Sequence, residues 1–128
     1  MNQATTPAMH TAVSVLDRWA RAFNEAAPER VADCFEPGAL FQGLQPACLV
    51  GRDAIAAYYR AVPVGTRTTA QVTHALALGE HAVTAFATLR FDMADGSSVS
   101  VRLSLTLLRD SLARPGWVIA QWHAARVS

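Results

Sequence analysis

The sequence predicts an α+β fold, with helices at the N-terminal end laid on one face of a sheet formed by the rest of the chain. Two observations carry that prediction. Before residue 66, apolar side chains recur at helical spacing and are punctuated by Pro28, Pro37-Gly38, Gly51 and Pro63. After it come four extended segments separated by short turns, too close together to be anything but antiparallel neighbours. Helices first and an antiparallel meander afterwards is the order of an α+β layout.

Thr6-Pro7 supplies an N-cap and a proline at the first helical position, where its missing N–H costs nothing. From there to Ala26, a turn of 100° per residue gathers Ala12, Val15, Leu16, Trp19, Ala22, Phe23 and Ala26 on one side. Asp17, Arg18, Arg21, Asn24 and Glu25 fall on the other. A short helix runs from Pro28 to Phe35 and is closed by Pro37-Gly38. Ala39 to Gln42 reads as a short strand and Gln45-Pro46-Ala47 as loop. A third helix starts after Gly51, with Ile55, Tyr58, Tyr59 and Val62 on its buried face, and ends at Pro63. The strands are Thr68 to Leu78, Ala82 to Phe91, Val99 to Leu108 and Trp117 to Ala124. Gly79-Glu80, residues 94–97 and residues 113–116 are the turns between them.

A chain of 128 residues builds one core, so a single domain over 1–128 is expected. With 52% hydrophobic and 16% charged residues it is apolar enough to bury surface beyond its own core, which points to a homo-oligomer. All eleven basic side chains are arginine, scattered along the chain, and the net charge is +1. Nucleic acid and anionic membrane both need clustered positive charge, so neither is an expected partner. No apolar run reaches the roughly 18 residues of a membrane span. The opening MNQATTP lacks a basic and apolar leader, and Cys34 and Cys48 read as reduced thiols, so a cytoplasmic protein is expected.

Four stretches carry a resemblance: Trp19-Ala20-Arg21-Ala22-Phe23-Asn24, Phe35 to Phe41, Gly51-Arg52-Asp53-Ala54-Ile55, and Trp117 to Ala125. With the order of elements, they resemble the SnoaL-like and SgcJ-like members of the nuclear-transport-factor-2-like superfamily. The last stretch is also similar to the association domain of the calcium/calmodulin-dependent kinase, which shares the fold. The resemblance implies a curved antiparallel sheet, a cone, enclosing a pocket between its concave face and the first helix. It also implies a homodimer formed through the convex sheet face. One scaffold here hosts dehydratases, isomerases, cyclases and non-catalytic binding modules, so function must come from the site.

Strict alternation along the last strand sets Trp117, Ile119, Gln121 and His123 on one face and Val118, Ala120, Trp122 and Ala124 on the other. The resemblance implies that the first set faces the pocket and that Trp122 belongs to the dimer face. His123 is then either a structural histidine near the chain end or an acid/base, since an imidazole titrates near about pH 6.5. Gln121 stands beside it as an orienting group. Trp19, Phe23, Phe35, Phe41, Tyr58, Tyr59 and Phe86 read as core or as the walls of a cavity for a flat hydrophobic ligand, and a tyrosine hydroxyl can donate to an oxyanion. Arg90 can aim a guanidinium at a carboxylate or enolate, or Leu89 and Phe91 can take the inward face instead.

Dehydratase-like members of the resembled group pair an Asp on helix one with a His at the start of the first long strand. The corresponding places here hold Arg21 and Thr68, and Asp17 stands i, i+4 from Arg21 as in a surface ion pair. No phosphate loop, metal-spaced Cys/His set or nucleophile elbow is present, so no cofactor and no metal is expected. Two readings remain open. One is a cofactor-free cyclase, isomerase or dehydratase acting through His123 on a hydrophobic, polyketide-like molecule. The other is a non-catalytic ligand-binding or assembly module.

Overall fold

Thr6 and Pro7 start the first helix as their residue types require. In the computed structural model, which describes residues 6–110 and 116–127, the Thr6 hydroxyl accepts the Met9 N–H at 3.1 Å. Helix α1 (Pro7–Asn24) buries Ala12, Val15, Leu16, Trp19, Ala22 and Phe23, the face the spacing predicts. It stops two residues short of Ala26, whose φ of 54° turns the chain out of the helix. Asn24 also clips the helix to the sheet: its Nδ2 donates to the Thr68 carbonyl at 3.0 Å and its Oδ1 accepts the Thr68 N–H at 2.8 Å.

Helix α2 (Pro28–Ala32) is shorter than the sequence suggests, because Phe35 already belongs to strand β1 (Phe35–Gln42). A two-residue strand β2 (Leu49–Val50) follows, too brief to carry any alternation that a sequence could display. Then come α3 (Arg52–Arg60) and the four long strands β3 (Arg67–Ala77), β4 (Ala82–Asp92), β5 (Ser98–Arg109) and β6 (Trp117–Arg126). The turn expected at residues 113–115 lies outside the described residues.

One six-stranded sheet results, in the order β2-β1-β6-β5-β4-β3. Strands β3 to β6 form the expected antiparallel meander, but β1 pairs with β6 in parallel, so the sheet is mixed. Helix α1 lies against the concave face, and Arg18 ties it to β6 by donating to the Trp117 carbonyl at 3.0 Å. Val101, Leu103, Leu105 and Leu107 point into the core, while Arg102 points outward, as the aliphatic run on β5 predicts.

Two bulges change which side chains face in. On β3 the pairing slips between Val72 and His74, so Val72 faces the core and His74 faces out, although strict alternation groups them. On β6 it slips by one residue at Ala120, between the pairs Leu107–Ile119 and Thr106–Gln121. Ile119 points inward before the bulge, and Trp122 and Ala124 point inward after it. The expected placement of Trp122 on an outer dimer face is therefore corrected: it is 3% exposed, stacked on Phe41 at 5.9 Å and packed 4.8 Å from Trp19.

Candidate functional site

The concave side holds an open-mouthed cavity of about 370 Å³, within the roughly 300–1,000 Å³ usual for small-molecule sites. The aromatic spacing of α1 and α3 supplies Phe23, Tyr58 and Tyr59 to its wall, and the inward faces of β1, β4 and β6 supply Phe41, Leu89, Phe91 and Trp122. The exposed Gln45, Ala61, Pro63 and Arg126 stand at the mouth.

Polar side chains on this wall are few: the Tyr58, Tyr59 and Thr66 hydroxyls, with the Gln45 amide and the Arg126 guanidinium at the mouth. Tyr58 Oη accepts the Leu44 N–H at 3.1 Å, and Tyr59 Oη accepts the Trp19 indole N–H at 3.1 Å. Each hydroxyl oxygen is thereby held in place while its own proton has no acceptor among the described residues. Burial pushes the Tyr59 hydroxyl well above the ordinary tyrosine value, with the Trp19 N–H pulling the other way. It can donate a hydrogen bond near neutral pH but cannot serve as a base.

Gly43 explains how Tyr58 reaches its position. A Cβ at residue 43 would stand 2.5 Å from Tyr58 Oη and 2.9 Å from the Phe41 ring, so any larger residue displaces the tyrosine. Among the described residues lining the cavity there is no Asp, Glu or His. No cluster of three or more His, Cys, Asp or Glu among the described residues could hold a metal ion.

Of the residues the sequence nominates, Phe23, Phe41 and Tyr58 line this cavity. The other nominations are corrected. Trp19 is wholly buried behind the wall, with its indole N–H committed to Tyr59. The bulge at Ala120 turns Gln121 and His123 to the outer face, where Gln121 shares a hydrogen bond with Thr106 and His123 is exposed opposite Ser104. His123 therefore does not reach the cavity as an acid/base.

Phe86 is 59% exposed on the outer face of β4, edge-on to His74. Arg90 faces outward too and is paired with Asp92 at 2.9 Å, leaving the inward positions to Leu89 and Phe91. The expected ion pair between Asp17 and Arg21 is present and exposed. Thr68 is buried, its hydroxyl donating to the Arg90 carbonyl at 3.0 Å. The two cysteines are apart in character, Cys34 buried and Cys48 exposed, and unpaired.

Sequence reasoning missed Trp122 and Arg126 as lining residues. Tyr59, in the aromatic set that reads as core or cavity wall, does line the cavity. Trp122 and Arg126 were hidden by the bulge, which no composition signal at Val118-Ile119-Ala120 announces.

Helices over the concave face of a curved sheet, with a largely apolar cavity between them, define a pocket protein on the cone-shaped α+β fold. Residues 16–110 match the family described as SnoaL-like domain, and the chain belongs to that family. Its structure is similar to a cystatin-like-fold domain of unknown function from Nostoc punctiforme, at 20% identity and a TM-score of 0.82, covering 97% of this chain and 80% of that one. A ketosteroid isomerase-like protein from Erwinia carotovora atroseptica matches at 14% identity and a TM-score of 0.79, over 100% and 99% of the two chains. A protein from Xanthomonas campestris described as a calcium/calmodulin-dependent protein kinase II association domain matches at 18% identity and a TM-score of 0.83, over 99% and 92%. At these identities the likeness shows the fold alone. No curated protein matches the sequence. No helix among the described residues is long and apolar enough to cross a membrane.

Proposed function

We propose that the protein binds a flat hydrophobic small molecule in the cone cavity without transforming it by acid/base chemistry. The observation that carries this reading is the composition of the wall. Aromatic and aliphatic side chains enclose about 370 Å³, and the described lining contains no carboxylate or imidazole to move a proton. Tyr58 and Tyr59 offer hydrogen bonds to an acceptor oxygen, which suits recognition of a carbonyl or phenol. The cyclase, isomerase or dehydratase reading acts through His123, and the outward orientation of that side chain favours the binding reading.

The test uses a neutral fluorescent probe, N-phenyl-1-naphthylamine, and a variant that fills the cavity from its rim. Val62 is half-buried on the wall, so Val62→Trp obstructs the space without entering the packed core. The wild type is expected to bind the probe with one-to-one stoichiometry. Val62→Trp, with an unchanged melting temperature, is expected to weaken that binding about tenfold or more, a loss of about 1.4 kcal/mol. Equal binding by the two proteins would place the ligand elsewhere.

We also propose that a second copy of this chain covers the outer sheet face. Leu76, Phe86 and Leu108 are exposed there at 61%, 59% and 38%, among short Thr and Ser side chains that allow close approach. Trp122 is not part of that surface.

A further inference from the structure

We infer that the cavity selects a hydrophobic carboxylate over a neutral or cationic molecule of the same shape, with the carboxylate held at the mouth by Arg126. This inference rests on the binding reading above and deepens it by naming the ligand's charge.

Three observations converge. Arg21, Arg30, Arg60 and Arg90 each have a carboxylate partner, whereas the Arg126 guanidinium has no ion pair or hydrogen bond among the described residues; it shares that with Arg67, Arg102 and Arg109, but it alone of these four lines the cavity. No Asp or Glu among the described residues shares the wall with it, so nothing there offsets its charge. A cationic ligand would meet repulsion at the mouth, and a neutral one would leave the guanidinium with water alone. Further in, the uncommitted protons belong to the Tyr58 and Tyr59 hydroxyls, while the Thr66 hydroxyl already donates to the Pro63 carbonyl at 2.7 Å. Apart from the Gln45 amide at the mouth, which offers both a donor and an acceptor, the uncommitted polar groups of the site are donors facing one apolar volume, and acceptor oxygens on an apolar frame are their match.

The position of Arg126 also explains its use. It lies at the end of β6, two residues beyond the inward-facing Ala124, where the small side chain leaves room between the aromatic floor and the rim. A guanidinium there can form a forked pair with a carboxylate while the rings of the ligand rest against Phe91 and Trp122.

The experiment compares 2-naphthoate with its uncharged isostere 2-naphthamide by calorimetric titration of the full chain at low ionic strength. Wild type is expected to prefer the carboxylate about fivefold or more, the scale of a partly exposed ion pair. Arg126→Gln is expected to remove that preference by weakening naphthoate binding, Arg126→Lys to keep part of it, and the outer-face control Arg102→Gln to keep all of it. Naphthamide binding the wild type as tightly as naphthoate would overturn the charge selection and leave the cavity reading standing. A preference that survives Arg126→Gln would overturn the role of Arg126. Absence of binding by both compounds would overturn this inference together with the cavity reading.

Discussion

Tyr59 couples the wall of the cavity to the stability of the molecule. Its ring is buried against Phe41 and Phe23, and its oxygen takes the Trp19 indole N–H. In the unfolded chain the phenol ionises near pH 10, while burial holds the folded phenol protonated to higher pH. Between those two values the unfolded state carries fewer protons than the native state, so stability falls as pH rises. Below the unfolded value the contribution is present in full. The melting temperature is therefore expected to decline above about pH 10, and Tyr59→Phe is expected to flatten that decline while losing about 1 kcal/mol at neutral pH with the Trp19 hydrogen bond. Parallel melting curves for the two proteins across the alkaline range would contradict the assignment. Cys34 has the same sign: burial raises its thiol against the pull of the Arg18 guanidinium, and it adds to the same alkaline loss.

At the scale of a strand, β6 is divided by its bulge into two segments of opposite pleat. Trp122 sits among Trp19, Phe35 and Phe41, so Trp122→Ala is expected to cost about 3–5 kcal/mol in urea unfolding. His123→Ala, one residue on but exposed, is expected to stay within about 0.5 kcal/mol and to leave ligand binding unchanged. Reversed magnitudes would put the bulge in the wrong place. The helical elements were legible because a helix displays its buried face as a repeat of 3.6 that survives small errors at its ends. The aliphatic face of β5 was legible for a related reason, an unbroken alternation of Val and Leu against Arg and Ser. The pleat of β6 beyond Ile119 was not, because period 2 has no tolerance: one extra residue exchanges inside for outside, and Ala120 looks like any strand alanine. The bulge on β3 has the same effect, setting His74 and Val72 on opposite faces although they stand two residues apart. Phe23, Phe41 and Tyr58, on α1, β1 and α3, line the cavity, whereas the nominated residues on β6 face the other way.

At the scale of the whole molecule, the two faces of the sheet differ in what covers them. The concave face and α1 enclose the cavity, and the outer face presents Leu76, Phe86 and Leu108 to solvent. If a second copy covers that face, Phe86→Asp is expected to shift sedimentation from dimer to monomer at micromolar concentration, with naphthalene-probe binding retained. A dimer that persists in Phe86→Asp would place the contact on another surface.

The parallel seam between β1 and β6 also sets an order of events. Strand β1 has only the two-residue β2 on its other side, so Phe35 and Phe41 lack their Trp122 cover until the last strand arrives. During synthesis the helices and the first three strands of the meander can form while that aromatic surface stays uncovered, a contact of long sequence separation left for the final step. The segment that completes the cavity is thus made after every other strand of this sheet, and the aromatic wall cannot close before β6 has docked beside β1.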